Sequence, residues 1–220
     1  MKTIGVIQVK GGAGRSTVAT TLAGELSKQG KTVLIDCDMP QGTSASWFAV
    51  RQQSDVKQGQ LFSQNLAADT AANHRELVAK VEQYKDVDYL VLDGPPRIAE
   101  LTRAILVLAD LCLVPVGASK AEIWATSDIL SLIEEAKQVK PVKVRMLWTR
   151  YRPQTKLTQE LTALVKQELG LAALDTSLGM RVSYMEALGD GLTAAELADP
   201  SAKAEVRSLI EEVKKLMRSI

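Results

Sequence analysis

The stretch from residue 3 to residue 36 constrains this chain more than any other. A short apolar run leads into a glycine-rich loop, then a helical pattern, then a second apolar run ending on aspartate. The loop reads Lys10-Gly11-Gly12-Ala13-Gly14-Arg15-Ser16-Thr17. Gly11, Gly12 and Gly14 admit backbone conformations closed to residues with a Cβ, so successive N–H groups can converge on phosphate oxygens. The helix expected from about Ser16 to Gln29, closed by Gly30, turns its positive end toward the same point. Ser16 offers a hydroxyl to Mg²⁺ and Thr17 one to a phosphate oxygen. A plain glycine turn would also join strand to helix, but it has no use for basic residues and paired hydroxyls at this spacing.

The same alternation continues along the chain. Apolar runs at Thr3–Val9, Thr32–Ile35, Tyr89–Leu92, Leu111–Val116 and Val142–Thr149 read as strands. Helical patterns separate them at Ser44–Gln53, Glu76–Tyr84, Thr102–Leu108 and Lys120–Val139, with further helices at Lys156–Leu169 and Ser201–Ser219. Two stretches, Ser54–Asn73 and Ala172–Ser183, are polar or irregular and suggest no regular element. This order predicts an α/β fold: a doubly wound, mostly parallel sheet with helices on both faces, forming one domain over residues 1–220.

In such sheets ligands bind outside the carboxyl ends of the strands. Two more motifs fall there. Asp36-Cys37-Asp38-Met39-Pro40-Gln41-Gly42 follows the second strand, and Asp93-Gly94-Pro95-Pro96 follows the Tyr89 strand. Two carboxylates beside a phosphate loop repel the phosphate unless a cation or ordered water intervenes, which makes Asp36 and Asp38, with Ser16, candidate Mg²⁺ residues. A turn built on aspartate and proline is the alternative reading of the second motif.

The loop departs from the standard phosphate-binding pattern G-x-x-x-x-G-K-[ST], since Val9 stands at the first glycine and Arg15 at the lysine. It resembles instead the deviant K-G-G-x-G-K-[ST] loop of the ParA/MinD superfamily, a group of P-loop ATPases. The resemblance runs on through the aspartate segment, with Met39 as an extra residue, and through Asp93-Gly94. It reaches Trp148-Thr149-Arg150 and Arg181-Val182-Ser183-Tyr184-Met185-Glu186-Ala187 near the far end. It implies ATP and Mg²⁺ as cofactors, held by residues Lys10, Gly11, Gly12, Ala13, Gly14, Arg15, Ser16 and Thr17, with Arg150 at the adenine. It also implies that Asp93 faces the metal, usually through water, and that Asp38 places the attacking water. Lys10 would reach across an ATP-sandwich homodimer to the partner's nucleotide. The catalytic set is then Lys10, Asp38 and Arg15, with slow turnover expected because a planar guanidinium replaces a compact ammonium at Arg15.

Composition narrows the functional classes. No apolar run reaches the roughly 18–20 residues needed to span a bilayer, and the N-terminus lacks the form of a signal peptide, so a cytoplasmic protein is expected. Cys37 and Cys112 suit reduced core thiols and lack the spacing of a metal or cluster site. Net charge is +1, yet Lys137, Lys140, Lys143, Arg145, Arg150, Arg152 and Lys156 fall within twenty residues that hold no acid. The rest of the chain carries 20 basic and 26 acidic residues. That cluster is either a solvated face or a surface for phosphate. The resemblance favours the second, in a ParA-type ATPase that binds DNA non-specifically on the nucleoid, Arg181 assisting. A ParB-like or cargo-adaptor partner would stimulate hydrolysis while a plasmid, chromosome region or protein assembly is positioned. A MinD-like membrane switch is the alternative, but the mixed charges of the last helix suit packing on the body better than insertion into a membrane.

Overall fold

A computed structural model describes the chain except residues 59–62, 98–99, 153–159, 162–164, 166–169 and 219–220. The inner part of the sheet is built from β1 (Lys2–Val6), β2 (Thr32–Asp36), β4 (Tyr89–Asp93), β5 (Leu111–Gly117) and β6 (Lys143–Tyr151). β3 (Leu66–Thr70) and β7 (Ala173–Gly179) close the two edges, in the order β3-β2-β4-β1-β5-β6-β7, and every pair is parallel. The helices are α1 (Arg15–Ser27), α2 (Thr43–Gln58), α3 (His74–Gln83), α4 (Glu100–Leu108), α5 (Lys120–Val139), α6 (Val182–Gly189) and α7 (Pro200–Arg218).

Alternation along each strand divides the core in two. Val33, Ile35, Leu90 and Leu92 point to the face covered by α3, α4 and α5, where Leu77, Ile105 and Ile133 meet them. Ile4, Val6, Leu34 and Val91 point to the other face, against Val18, Leu22, Trp47, Val206 and Leu209 of α1, α2 and α7. Each large aliphatic side chain buried this way contributes about 1.5–3 kcal/mol. Gly5, at the centre of β1, gives α4 its close approach, since a Cβ there would lie 2.6 Å from Ile105 Cγ2. The apolar stripe of α7 is buried through Val206, Leu209, Ile210, Val213 and Met217, so this helix packs on the body as its charge pattern suggested.

Three expectations change. The Ser54–Asn73 stretch contains edge strand β3, in which Leu66 alone is buried, so its sequence lacks the apolar run of an inner strand. The Ala172–Ser183 stretch holds edge strand β7, whose register against β6 shifts twice and whose apolar alternation is correspondingly broken. Gly30 does not close α1 in a left-handed turn; α1 ends at Ser27, and Gly30 instead makes room for Asp88, whose Oδ2 would lie 2.6 Å from an added Cβ. Most of the expected Lys156–Leu169 helix lies outside the described residues.

Candidate nucleotide site

The order of the sheet sets β2, β4 and β1 side by side, so their carboxyl ends bring the three motifs together. Val6, Asp93 and Asp36 are register partners across these strands. In the loop after β1, Gly12 and Gly14 take φ values of 77° and 93°, a region closed to most side-chain-bearing residues. Gly14 directly precedes α1, whose first turn carries no acid, so the positive end of a thirteen-residue helix opens into the loop. Thr149 Oγ1, from the end of β6, donates to Ala13 O at 2.9 Å and pins the loop from behind. Beside it lies a cleft of about 470 Å³, a volume suited to a small ligand. Its walls are largely apolar and include Val18, Thr149, Arg150, Leu178, Tyr184 and Leu188.

Asp93 ends the buried strand β4 and is wholly enclosed. Ser44 Oγ donates to its Oδ2 at 2.5 Å, while Oδ1 has no hydrogen-bond partner among the described residues. Burial pushes the Asp93 carboxyl up to about 7, aided by the nearby charge of Asp36 and resisted by the Ser44 and Ser16 hydroxyls and Arg15. A buried carboxyl with one acceptor oxygen left open, and with the Ser16 hydroxyl acting on the same group, fits a hydrated divalent cation.

Asp36 is also fully buried, but its two oxygens accept from Asp38 N at 2.9 Å and Ala45 N at 3.0 Å. It braces the turn between β2 and α2. No group of three or more potential metal-binding side chains exists among the described residues, so Asp36, Asp38 and Asp93 do not converge as one cluster. Asp38 remains at the end of β2 because the extra residue Met39 is accommodated in a turn closed by Gly42 N donating to Asp38 O. Burial raises the Asp38 carboxyl, and Arg15, whose Nη2 lies 3.6 Å from its Oδ2, works against that.

Lys10 stands at the mouth of the loop with its side chain 38% exposed, and its ammonium pairs with Glu122 Oε1 at 2.9 Å. Arg150 reaches the same oxygen at 3.0 Å. Burial pushes the Glu122 carboxyl up, but these two cations prevail and hold it below its ordinary value. Sequence reasoning missed Glu122. Its spacing from Ser119 is that of a helix-capping residue, and Ser119 does accept from Glu122 N. Ser44 was also missed, since one serine at a helix start gives no sign of a buried carboxylate opposite.

Arg15 departs from the placement expected of a phosphate-loop cation. Its side chain is 7% exposed and turned inward, where backbone carbonyls and Asp38 receive it. The described part of the basic cluster, Lys137 to Arg152, is no single patch. Lys137 and Lys140 lie at the end of α5, and β6 carries Lys143, Arg145 and Arg150 along about 26 Å at 3.3 Å per residue. Lys140 therefore pairs with Asp110 at one end of the sheet and Arg150 with Glu122 at the other. Arg181 is committed to Glu205, at 2.9 and 2.7 Å.

A sequence model for the family described as ATPase MipZ matches residues 2–139. The chain belongs to that family. It is a ParA/MinD-type ATPase with a deviant phosphate loop, and the family's cofactors are ATP and Mg²⁺. Relatives of the MipZ-family chain span nearly its whole length. The chromosome-partitioning ATPase Soj of Thermus thermophilus is 29% identical over 238 residues, covering 97% of this chain and 95% of Soj. Maintenance of carboxysome distribution protein A of Halothiobacillus neapolitanus is 26% identical over 217 residues, covering 96% and 95%. The ATP complex of a McdA protein from Cyanothece superposes with a TM-score of 0.79 at 18% identity, over 97% of this chain and 96% of that one, which shows a common fold. The positioning ATPases are thus the group in which this chain falls.

Proposed function

We propose that the 220 residues form one P-loop domain whose ATP-bound form is a homodimer that binds DNA without sequence preference and positions a cargo. A partner protein of the ParB or cargo-adaptor kind stimulates hydrolysis and releases the dimer. The observation that carries this reading is Lys10. Its ammonium lies at the rim of the loop, partly exposed and paired with Glu122, a placement that supports contact with a nucleotide on a second copy.

Within the site, the amides from Gly11 to Thr17 and the start of α1 receive the phosphates, and the apolar cleft beside Arg150 takes the adenine. Bound Mg²⁺ supplies neutralisation of phosphate charge. Ser16 and Asp93 would hold it, the aspartate giving its open oxygen to the metal's water. Asp38 orients the attacking water from the end of β2, with Asp36 fixing the turn that carries it. Enclosure of these groups limits the water that competes with that one.

Co-sedimentation of the purified chain with duplex DNA or with anionic liposomes, under ATP, ADP and no nucleotide, separates the classes directly. Pelleting with DNA under ATP alone supports the proposal, whereas ATP-dependent pelleting with liposomes and none with DNA transfers the chain to the membrane-switch class.

A further inference from the structure

Arg15 occupies the position of the phosphate-loop lysine, yet its fork spans three segments of the site. Nη1 donates to Gln8 O and to Lys10 O, both at 2.8 Å, on either side of the turn that opens the loop. Nε donates to Gly94 O at 2.9 Å, just beyond the end of β4. Nη2 lies 3.6 Å from Asp38 Oδ2, just beyond β2. Burial lowers the guanidinium's affinity for its proton, opposed by Asp93 and Asp38, and an arginine so surrounded stays charged. A guanidinium carries five N–H donors in a fixed plane, and here that plane is committed to protein carbonyls and one carboxylate.

We infer that Arg15 is a positioning residue, a strut tying the phosphate loop to the segments after β2 and β4, and that it acts through Gly94 and Asp38 rather than on the phosphates. A lysine cannot take this place. Its single ammonium is a point donor and does not span carbonyls on both the loop and the Gly94 segment while also facing Asp38. The phosphate charge then falls to the loop amides, the α1 terminus, Mg²⁺ and Lys10 of a second copy. Movement of the Gly94 segment on nucleotide binding is transmitted to Asp38 through one rigid group. The inference rests on the nucleotide-site reading only for this last step, because the strut itself is a property of the chain without ligand.

The local backbone provides the readout. Gly94 N donates to Val6 O and Cys37 N to Asp93 O, both at 2.9 Å, so these amides report whether the strand ends stay joined. Hydrogen exchange of peptides covering residues 36–39 and 92–96 should be compared in the parent, Arg15→Lys and Arg15→Gln, without nucleotide and with a slowly hydrolysed ATP analogue plus Mg²⁺. Loss of a charge-assisted bond to Gly94 predicts exchange about ten- to a hundredfold faster in both variants without nucleotide. Analogue affinity should change less than about threefold in Arg15→Lys, while kcat shifts without a matching change in KM. Unchanged exchange together with a loss of analogue affinity beyond about a hundredfold in Arg15→Gln would make Arg15 a direct phosphate ligand and overturn the strut. If the parent itself bound no analogue, the nucleotide reading would fall, and the exchange rates without nucleotide would still decide the strut.

Discussion

Replacing Asp93 by asparagine should remove most of the pH dependence of this protein's stability near neutrality. Asp93 is fully buried, and its carboxyl is pushed up from 3.8 to about 7. Between those values the folded chain holds a proton there that the unfolded chain has lost. Stability is therefore fully present below the unfolded pKa and drains away as pH rises through the folded one. Each pH unit in that interval is worth about 1.4 kcal/mol, so the parent should lose about 3 kcal/mol between pH 5 and pH 8, most of it before pH 7. The carboxamide of the Asp93→Asn variant has no proton to lose, and the variant's stability over the same range should be nearly flat, whatever its baseline. Urea denaturation at half-unit pH steps, without nucleotide or metal, measures both curves. Parallel curves for the two proteins would refute the argument, because the slope would then come from other groups.

Three further expectations concern named contacts. Glu122→Gln should cost the chain about 1–2 kcal/mol in urea denaturation, since Lys10 and Arg150 lose their shared partner, and should lower the ATP-analogue concentration at which dimers form. Gly191→Ala should destabilise by about 2–4 kcal/mol, also read by denaturation, because residue 191 has φ 69° and its new Cβ would fall 2.3 Å from Arg51 N. Arg152→Glu should weaken DNA binding and flatten its salt dependence by about 1.8 log units per log unit across two copies, whereas Lys140→Glu, whose parent residue pairs with Asp110 at the other end of the sheet, should leave fluorescence-anisotropy titrations unchanged.

The inner sheet was legible because burial writes itself into sequence: β2, β4 and β5 are continuous apolar runs, and each lies between two neighbours. The edge strands were not legible. β3 reads Leu-Ala-Ala-Asp-Thr, with one residue that must be buried, and β7 breaks its own alternation where its register slips. Motif spacing placed Gly12, Gly14, Ser16, Asp38 and Asp93 at adjacent strand ends because those positions follow from chain order in a doubly wound sheet. What spacing does not encode is the direction of a long side chain. Arg15 was expected on the phosphates and turns inward to carbonyls contributed by residues 8, 10 and 94. Lys10 finds Glu122, more than a hundred residues away, through packing of α5 beside the loop. The described part of the basic run, Lys137 to Arg152, forms no patch for a related reason: neighbours in sequence along an extended strand separate quickly in space.

ATP-driven pairing of two copies through Lys10 is the central claim, and light scattering on a sizing column measures it most directly. With Mg²⁺ and a slowly hydrolysed ATP analogue at micromolar protein, the 23.9 kDa chain should elute at twice that mass. The Lys10→Ala variant should stay at the single mass while still binding the analogue. A parent that binds the analogue and keeps its monomer mass, or a Lys10→Ala variant that doubles as the parent does, would contradict the account.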